Sequence, residues 1–270
     1  MYKIIVSDLD GTLLTSQYNI TDFTKKILLL LISKGVHFIF ATGRHYIDVF
    51  KISDNLNIKS YMITSNGSQI YNQKKELIFN QFLLKEIAIS LCKIRYIDKE
   101  IMTHLYCNHQ WYTNSSCSKK NIFCKKLFLK NKIFNLENFC FDKVNKIFFT
   151  SNNIKKLKLL EQEILEIWSN KKNINIFFSF PECLEIVPCG VSKGSALNII
   201  LKLIGYSLSD CISFGDGMND QDMLNISGKG CIMKNADPCL KLALPHLEII
   251  GDNNNNGLAH YLCKIFHINI

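Results

Sequence analysis

The sequence predicts an α/β protein: a doubly wound parallel sheet that is interrupted in its middle by a smaller α+β module. Three observations support this prediction. Buried strands alternate with helices at both ends of the chain, an order that favours right-handed crossovers in a parallel sheet. Several of these strands end in polar, glycine-containing loops. The middle of the chain instead mixes short strand-like pieces with helices, which is typical of an α+β module.

The first half of the parallel sheet is predicted from the N-terminal third. A β-branched run over 3–6 indicates a buried strand. Thr21 suits a helix N-cap and Gly35 suits a helix stop, so a helix is expected over 22–34. The other elements predicted here are a strand over 36–41, a helix over 45–56, a strand over 61–64 and a hairpin of 69–71 with 77–79.

The middle module is predicted from a change in this rhythm. A helical segment over 82–96 opens it, and a second helix over 154–168 has apolar residues at helical spacing, including Leu157, Leu160 and Ile164. The short strands predicted around these helices are 102–106, 110–113, 146–150, 174–178 and 184–187.

Strand–helix alternation returns after Pro188. The elements predicted there are a helix over 193–203, a strand over 211–214, a short helix over 220–225, a strand over 230–233 and helices over 237–243 and 257–266. We therefore expect a core domain of residues 1–81 and 186–270, and an inserted domain of residues 82–185.

Composition and charge narrow the function classes. Of the 270 residues, 47% are hydrophobic and 20% are charged, which is typical of a folded globular protein. The net charge of +9 depends almost entirely on lysine, because Arg44 and Arg95 are the two arginines. Proteins that read nucleic-acid bases favour arginine, so a dedicated nucleic-acid binder is not expected.

Cysteine and histidine usage argues against several kinds of site. The 11 cysteines are odd in number and form no C-x-x-C pair, unlike a disulfide framework or a zinc ribbon. The seven histidines show no H-x-x-x-H spacing. The chain enters a strand at once, and its longest apolar run, 27–32, is too short to cross a bilayer. We expect a cytoplasmic protein with no membrane partner.

Polar residues follow three strands of the predicted sheet. The carboxyl ends of parallel strands meet at one edge, where ligands of such sheets bind. The residues placed there are Asp8 and Asp10 after the first strand, Thr42-Gly43-Arg44 after the second, and Asp216, Asn219 and Asp220 after the strand over 211–214.

This set of residues indicates phosphoryl transfer. Clustered carboxylates repel each other unless a hard cation lies between them, and their oxygens suit Mg²⁺. Of Asp8 and Asp10, one carboxylate can attack while the other handles protons. Lys193, at the start of a predicted helix, can supply a fixed positive charge to phosphate oxygens and to the nucleophile.

The motifs resemble those of the haloacid dehalogenase superfamily. The residues concerned are Asp8-Leu9-Asp10-Gly11-Thr12, Thr42-Gly43, Lys193 and Gly215-Asp216-Gly217-Met218-Asn219-Asp220. The motif sequences are most similar to those of Cof-type (class IIB) phosphatases, and Ser65-Asn66-Gly67 and the run over 191–196 support this similarity. The resemblance covers the whole chain and implies a Rossmann-like core with a cap domain inserted between the second and third motifs.

The resemblance implies a catalytic role for three residues. Asp8 would attack phosphorus and form an aspartyl-phosphate. Asp10 would protonate the leaving oxygen and then activate the hydrolytic water. Lys193 would stabilise the nucleophile and the transferring group.

The resemblance also implies ligand contacts. Mg²⁺ would bind the Asp8 carboxylate, the Asp10 backbone carbonyl and Asp216. The residues that would contact phosphate are Leu9 and Gly43 through their amides, Thr42 through its hydroxyl, Lys193 and Asn219. Asp220 would support Lys193 or the metal shell, while Arg44 and Asn66 would either reach substrate or brace their loops.

The expected function is a Mg²⁺-dependent phosphomonoester hydrolase for a small phosphorylated partner: a sugar phosphate, a nucleotide or pyridoxal phosphate. A phosphotransferase or phosphomutase on the same site is one alternative. Another is a nucleic-acid-binding protein that uses the lysine-rich cap, with lysines at 119, 120, 125, 126, 130 and 132. The cap residues His104, His109, Trp111 and Tyr112 are candidates for the substrate side.

Overall fold

The computed structural model describes residues 1–94, 98–116, 128–168 and 173–269. The described strands, in chain order, are β1 (Ile4–Ser7), β2 (His37–Ala41), β3 (Tyr61–Thr64), β4 (Gln69–Tyr71), β5 (Leu77–Asn80), β6 (Met102–Cys107), β7 (Gln110–Thr113), β8 (Asn131–Ile133), β9 (Val144–Thr150), β10 (Ile174–Phe180), β11 (Cys183–Pro188), β12 (Cys211–Gly215), β13 (Lys229–Ile232) and β14 (Glu248–Ile249).

The described α-helices have bounds close to those predicted. They are α1 (Asp22–Ser33), α2 (Tyr46–Leu56), α3 (Lys85–Ile94), α4 (Ile154–Trp168), α5 (Lys193–Ile204), α6 (Gln221–Ile226), α7 (Pro238–Ala243) and α8 (Gly257–Ile265). The predicted cap of α1 is confirmed, because the Thr21 side chain accepts a hydrogen bond from the Thr24 amide. None of the described helices combines the length and apolar content needed to cross a membrane.

The core sheet has eight strands in the order β14-β13-β12-β1-β2-β3-β4-β5. It is parallel from β14 to β3, as predicted, while the hairpin of β4 and β5 extends it in the antiparallel sense. Helices cover both faces: α1, α2, α7 and α8 contribute to the buried cluster on one face, and α5 to the cluster on the other. This arrangement confirms the doubly wound α/β core.

The second sheet has six strands in the order β10-β11-β9-β6-β7-β8. Its pairs are antiparallel except for β7 with β8. Helices α3 and α4 bury their apolar residues against one face. The other face carries the ring-rich cluster of Tyr106, Trp111 and Phe148, which packs against Ile47 of α2 and therefore faces the core.

The second sheet is inserted between β5 and β12, as the cap was expected to be. The domain limits at 82 and 185 remain a prediction, and β11 runs through the second of them. The lysines at 119, 120, 125 and 126 lie outside the described residues, so the nucleic-acid hypothesis is also still a prediction. The described strands that the sequence did not predict are β8 and β14, which are only three and two residues long.

Candidate active site

Three loops meet at the carboxyl edge of the core sheet because β12, β1 and β2 are neighbours in it. Backbone hydrogen bonds hold the start of each loop against the neighbouring strand. The Asp8 amide donates to Phe214 O of β12 at 3.0 Å, and the Thr42 amide donates to Ile63 O of β3 at 2.9 Å. Asp8 and Thr42 are both buried at this edge. The structure therefore brings together the strand ends that the sequence selected.

Lys193 lies between two carboxylates. Its Nζ donates to Asp8 Oδ1 and to Asp220 Oδ1, each at 2.6 Å, and its side chain is fully buried. Helix α5 holds it there through a capping box of Ser192 and Ser195 at the helix start. Burial acts to lower the pKa of Lys193, but Asp220 and Asp8 outweigh it and raise that pKa. The lysine is therefore a permanent cation beside Asp8.

Asp220 anchors its own loop. One oxygen accepts from Lys193, and Oδ2 accepts from the amides of Asp216 and Gly217, both at 3.0 Å. Both oxygens are thus occupied by protein donors. Of the two roles left open for Asp220, the contacts favour support of Lys193.

Asp8, Asp216 and Asp220 form a carboxylate cluster, with one oxygen of each within 4.8 Å of the others. Burial raises the pKa of Asp8 to about 7, and Lys193 only partly opposes this rise. Burial and the neighbouring acids also raise the pKa of Asp216 well above its usual value. A single lysine does not neutralise three clustered acids, so a hard divalent cation fits this donor set.

The turn after Asp10 is packed directly against the cluster. Gly11 has φ of +82°, and a Cβ there would lie 2.1 Å from Asp216 Oδ2. Thr12 Oγ1 donates to Asp216 Oδ1 at 2.7 Å. Glycine at position 11 therefore lets the first loop approach Asp216, and Thr12 orients that carboxylate.

Two asparagines from the C-terminal part of the chain hold this first loop from outside. Asn235 Nδ2 donates to Gly11 O at 2.7 Å, and Asn253 Nδ2 donates to Leu14 O at 2.8 Å. The Asn253 amide in turn donates to Asn235 Oδ1 at 3.0 Å. We call these two residues the asparagine clasp.

Asp10 is paired with Arg44 rather than with the other acids. Nε and Nη2 of Arg44 donate to the two oxygens of Asp10 at 2.7 and 2.6 Å, a bidentate pair. The Arg44 side chain is only 7% exposed and Asp10 is 19% exposed. The sequence left the role of Arg44 open, and the structure places its guanidinium on the proposed acid–base residue.

The loop after β2 carries Thr42 and Gly43, which line the cavity between the core loops and the inserted sheet. The Thr42 oxygen accepts from the Arg44 amide at 3.1 Å, which leaves its hydroxyl hydrogen free to donate elsewhere. Asn219 donates to Asn66 Oδ1 at 3.1 Å, so these two amides lie together. Leu9 is fully buried, and only its backbone suits the phosphate contact expected of it.

A cavity of about 420 Å³ lies between the core loops and the inserted sheet. Asp8, Asp10, Thr42, Asp216 and Asn219 line its core side. On the cap side its walls include Tyr106, Lys146, Phe148, Thr150, Phe180 and Glu185.

The cap histidines and aromatics proposed for the substrate side lie elsewhere. His104, His109, Trp111 and Tyr112 are absent from the described lining of this cavity. Trp111 Nε1 donates to His104 Nδ1 at 3.2 Å, and His104 Nε2 lies 2.8 Å from Thr150 Oγ1. His104 and Trp111 are therefore buried in the ring-rich cluster on the core-facing side of the inserted sheet.

Sequence reasoning missed Lys146, Glu185 and the contact by which Thr12 orients the Asp216 carboxylate. Lys146 and Glu185 form a buried ion pair at 2.9 Å on the cavity wall. Lys146 is the one charged residue of the strand Val144–Thr150, and a charge within a predicted strand was the available signal.

Comparisons with known proteins identify relatives along nearly the whole chain. A family model described as haloacid dehalogenase-like hydrolase matches residues 5–262. A candidate phosphatase of Buchnera aphidicola subsp. Schizaphis graminum is 53% identical over 267 residues, or 98% of this chain and 96% of the relative. The HMP-PP phosphatase of Escherichia fergusonii is 32% identical over 265 residues, or 97% of this chain and 95% of the relative.

Among solved structures, a haloacid dehalogenase-like hydrolase from Bacteroides thetaiotaomicron superposes with a TM-score of 0.82. It is 28% identical and is matched over 98% of this chain and 100% of its own. Family model, relatives and fold all agree along nearly the whole length, so the chain is a phosphatase-type enzyme that belongs to the haloacid dehalogenase-like hydrolase family.

Proposed function

We propose that this protein is a Mg²⁺-dependent phosphomonoester hydrolase that acts on a small phosphorylated metabolite through an aspartyl-phosphate. The observation that carries the proposal is the buried Asp8 carboxylate, held by Lys193 at 2.6 Å beside Asp216, at the foot of a cavity. A fixed nucleophile beside a permanent cation is what in-line attack on phosphorus requires.

In the first step Asp8 attacks phosphorus and the bond to the leaving oxygen breaks. Asp10 gives that oxygen a proton. In the second step Asp10 takes a proton from water, the water oxygen attacks phosphorus, and the bond to Asp8 breaks to give inorganic phosphate and free Asp8. A proton on Asp10 weakens its attraction to Arg44, so we expect proton transfer and opening of this pair to be linked.

The phosphoryl oxygens would be held by Thr42, by the amides of Leu9 and Gly43, by Lys193 and by Asn219. The Asp8 and Asp216 carboxylates, with the Asp10 backbone carbonyl, would bind Mg²⁺. The bound cation would offset the negative charge of phosphate and acids during transfer.

The test is release of phosphate from p-nitrophenyl phosphate by purified protein, with Mg²⁺ and with EDTA. We expect Mg²⁺-dependent release by the wild type and none above background by Asp8→Asn, with Asp54→Asn, a surface carboxylate, as the matched control. No release by the wild type, or equal release by Asp8→Asn, would contradict the proposal.

A substrate panel then addresses the leaving group. It contains sugar phosphates, nucleotides, pyridoxal phosphate and HMP-PP, the compound in the name of the Escherichia fergusonii relative. Addition of a sugar acceptor separates hydrolysis from the phosphotransferase or phosphomutase alternative, because transfer yields a new phosphoester instead of free phosphate.

We also propose that the protein works in the cytoplasm. The nine cysteines of the described ranges are all unpaired thiols, as expected in a reducing compartment.

A further inference from the structure

The ion pair of Lys146 and Glu185 lies between the inserted sheet and the phosphate-binding loop. Their charged groups are 2.9 Å apart, and the side chains are 2% and 5% exposed. Lys146 lies on β9 and Glu185 on the neighbouring β11, so both are fixed on the side of the inserted sheet that lines the cavity. The desolvation free energy of two buried charges can exceed their mutual attraction. Stability alone therefore does not explain the pair, and its contacts indicate a further role.

Lys146 makes its second hydrogen bond across the boundary between cap and core. Its Nζ donates to Gly43 O at 2.6 Å. The ammonium also lies 5.0 Å from the centre of the Tyr106 ring and 4.7 Å from that of Phe148, and both rings help to hold it. The position of the Gly43 carbonyl is therefore set by a cap residue.

Glu185 is saturated by protein donors and is not free to bind substrate. It accepts from Lys146 and Asn66 through Oε2, and from Ser179 at 3.0 Å and Cys183 at 3.6 Å through Oε1. A Cβ on Gly43 would lie 3.2 Å from Glu185 Oε2, so the pair is packed closely against the loop.

The carbonyl held by Lys146 belongs to the peptide between Gly43 and Arg44. The amide of that same peptide donates to Thr42 Oγ1 at 3.1 Å. Rotation of the peptide would move both groups, so Lys146 at one end fixes the donor to Thr42 at the other. Thr42 is thereby kept with its hydroxyl hydrogen available for a phosphoryl oxygen.

We infer that Lys146, neutralised by Glu185, is a positioning residue that sets the Gly43–Arg44 peptide, so that the phosphate-binding loop is complete only when the cap is seated on it. The inference rests on the proposed phosphatase function and deepens it. Lys146 acts through the loop, so its loss should affect every substrate equally, whatever the leaving group.

The test compares Lys146→Met with the double variant Lys146→Met/Glu185→Leu. The single variant leaves a buried carboxylate without its counter-ion, whereas the double variant replaces the ion pair with apolar side chains and should regain part of the lost thermal stability. We expect both to weaken inhibition by inorganic phosphate about tenfold, since a hydrogen bond from a charged donor is lost. Lys146→Arg should restore part of this inhibition.

The matched control is Lys85→Met, which removes an exposed ion pair with Asp142 on the cap and should change nothing. A stable double variant with phosphate inhibition within twofold of wild type would overturn the inference, because the pair would then be purely structural. A loss of hydrolysis rate that varies with the leaving group, with phosphate inhibition unchanged, would also overturn the inference, since Lys146 would then contact the substrate.

The inference can still be tested if the proposed function fails. If the wild type releases no phosphate from any substrate, calorimetric titration measures the affinity of the wild type and of both variants for inorganic phosphate. Equal binding by all three overturns the inference, and about tenfold weaker binding by both variants supports it.

Discussion

Replacement of Lys193 by methionine tests the centre of the site most directly. Both Nζ–O distances are 2.6 Å and the side chain is fully buried, so its loss leaves Asp8 and Asp220 facing each other without a cation. Removal of one partner of a buried ion pair costs about 3–5 kcal/mol. At about 2–4 °C per kcal/mol for a chain of this size, the melting temperature should fall by roughly 10 °C.

The same change should abolish most of the activity. Burial already raises the pKa of Asp8 to about 7, with Lys193 opposing the rise. Without Lys193 this pKa rises further, so a larger fraction of the carboxyl is protonated at neutral pH and unable to attack phosphorus. We expect p-nitrophenyl phosphate hydrolysis to fall on the order of 10²–10³-fold, because a charge contact to the transferring group is also lost.

The assay pairs thermal unfolding by circular dichroism with hydrolysis at pH 6–9. The double variant Lys193→Met/Asp220→Asn has one buried charge fewer, so it should regain part of the lost stability but none of the activity. A melting temperature within about 2 °C of wild type, or a rate within about tenfold, would refute the reasoning from buried charge.

Three further predictions concern the turn, the cation and acid stability. Gly11→Ala should displace Asp216 and weaken Mg²⁺ binding, which is measured as the Mg²⁺-induced rise in melting temperature. The control for backbone strain alone is Gly35→Ala, because Gly35 has φ of +86° and no described heavy atom lies within 4 Å of its Cβ. Mg²⁺ at about 100 times its dissociation constant should stabilise the wild type by about 2.7 kcal/mol and Asp216→Asn by much less, and equal melting shifts in the two would contradict the assigned ligand. Burial lowers the pKa of His104 to about 3, so the stability provided by its neutral ring is present above pH 6.5 and is lost as pH falls from 6.5 to 3. Acid unfolding followed by tryptophan fluorescence should therefore show that the stability of His104→Gln falls less than that of wild type between pH 6.5 and 3. The control variant His246→Gln, at an exposed position, should unfold as wild type does. An unchanged acid transition in His104→Gln would refute the role given to the neutral His104 ring.

Much of the fold could be predicted because the signals are local. The helix predicted over 22–34 is observed as Asp22–Ser33, and the helix predicted over 154–168 matches Ile154–Trp168. Apolar spacing along each segment can be seen in the sequence without knowledge of any tertiary contact. Parallel pairing then places the polar strand ends at one edge, which is why Asp8, Thr42 and Asp216 could be grouped.

What the sequence could not show is which charged groups pair across that edge. Arg44 follows Thr42 in sequence but bonds to Asp10, and Lys146 bonds to the Gly43 carbonyl 103 positions away. Such contacts depend on rotamers and on how the two sheets face each other, and neither leaves a periodic signal. Likewise β14 has only two residues, too few for an alternating pattern.

The asparagine clasp has a consequence for the order in which the protein becomes active. Asn235 and Asn253 hold backbone carbonyls 224 and 239 positions earlier in the chain. At about 5–20 residues per second, a nascent chain waits roughly 10–50 s between synthesis of Gly11 and synthesis of Asn235. The loop that carries Asp8 is made early and is held in place only after Asn235 and Asn253 have been synthesised. Phosphatase activity should therefore emerge only after that point, well after the sheet strand that carries Asp8 has been made.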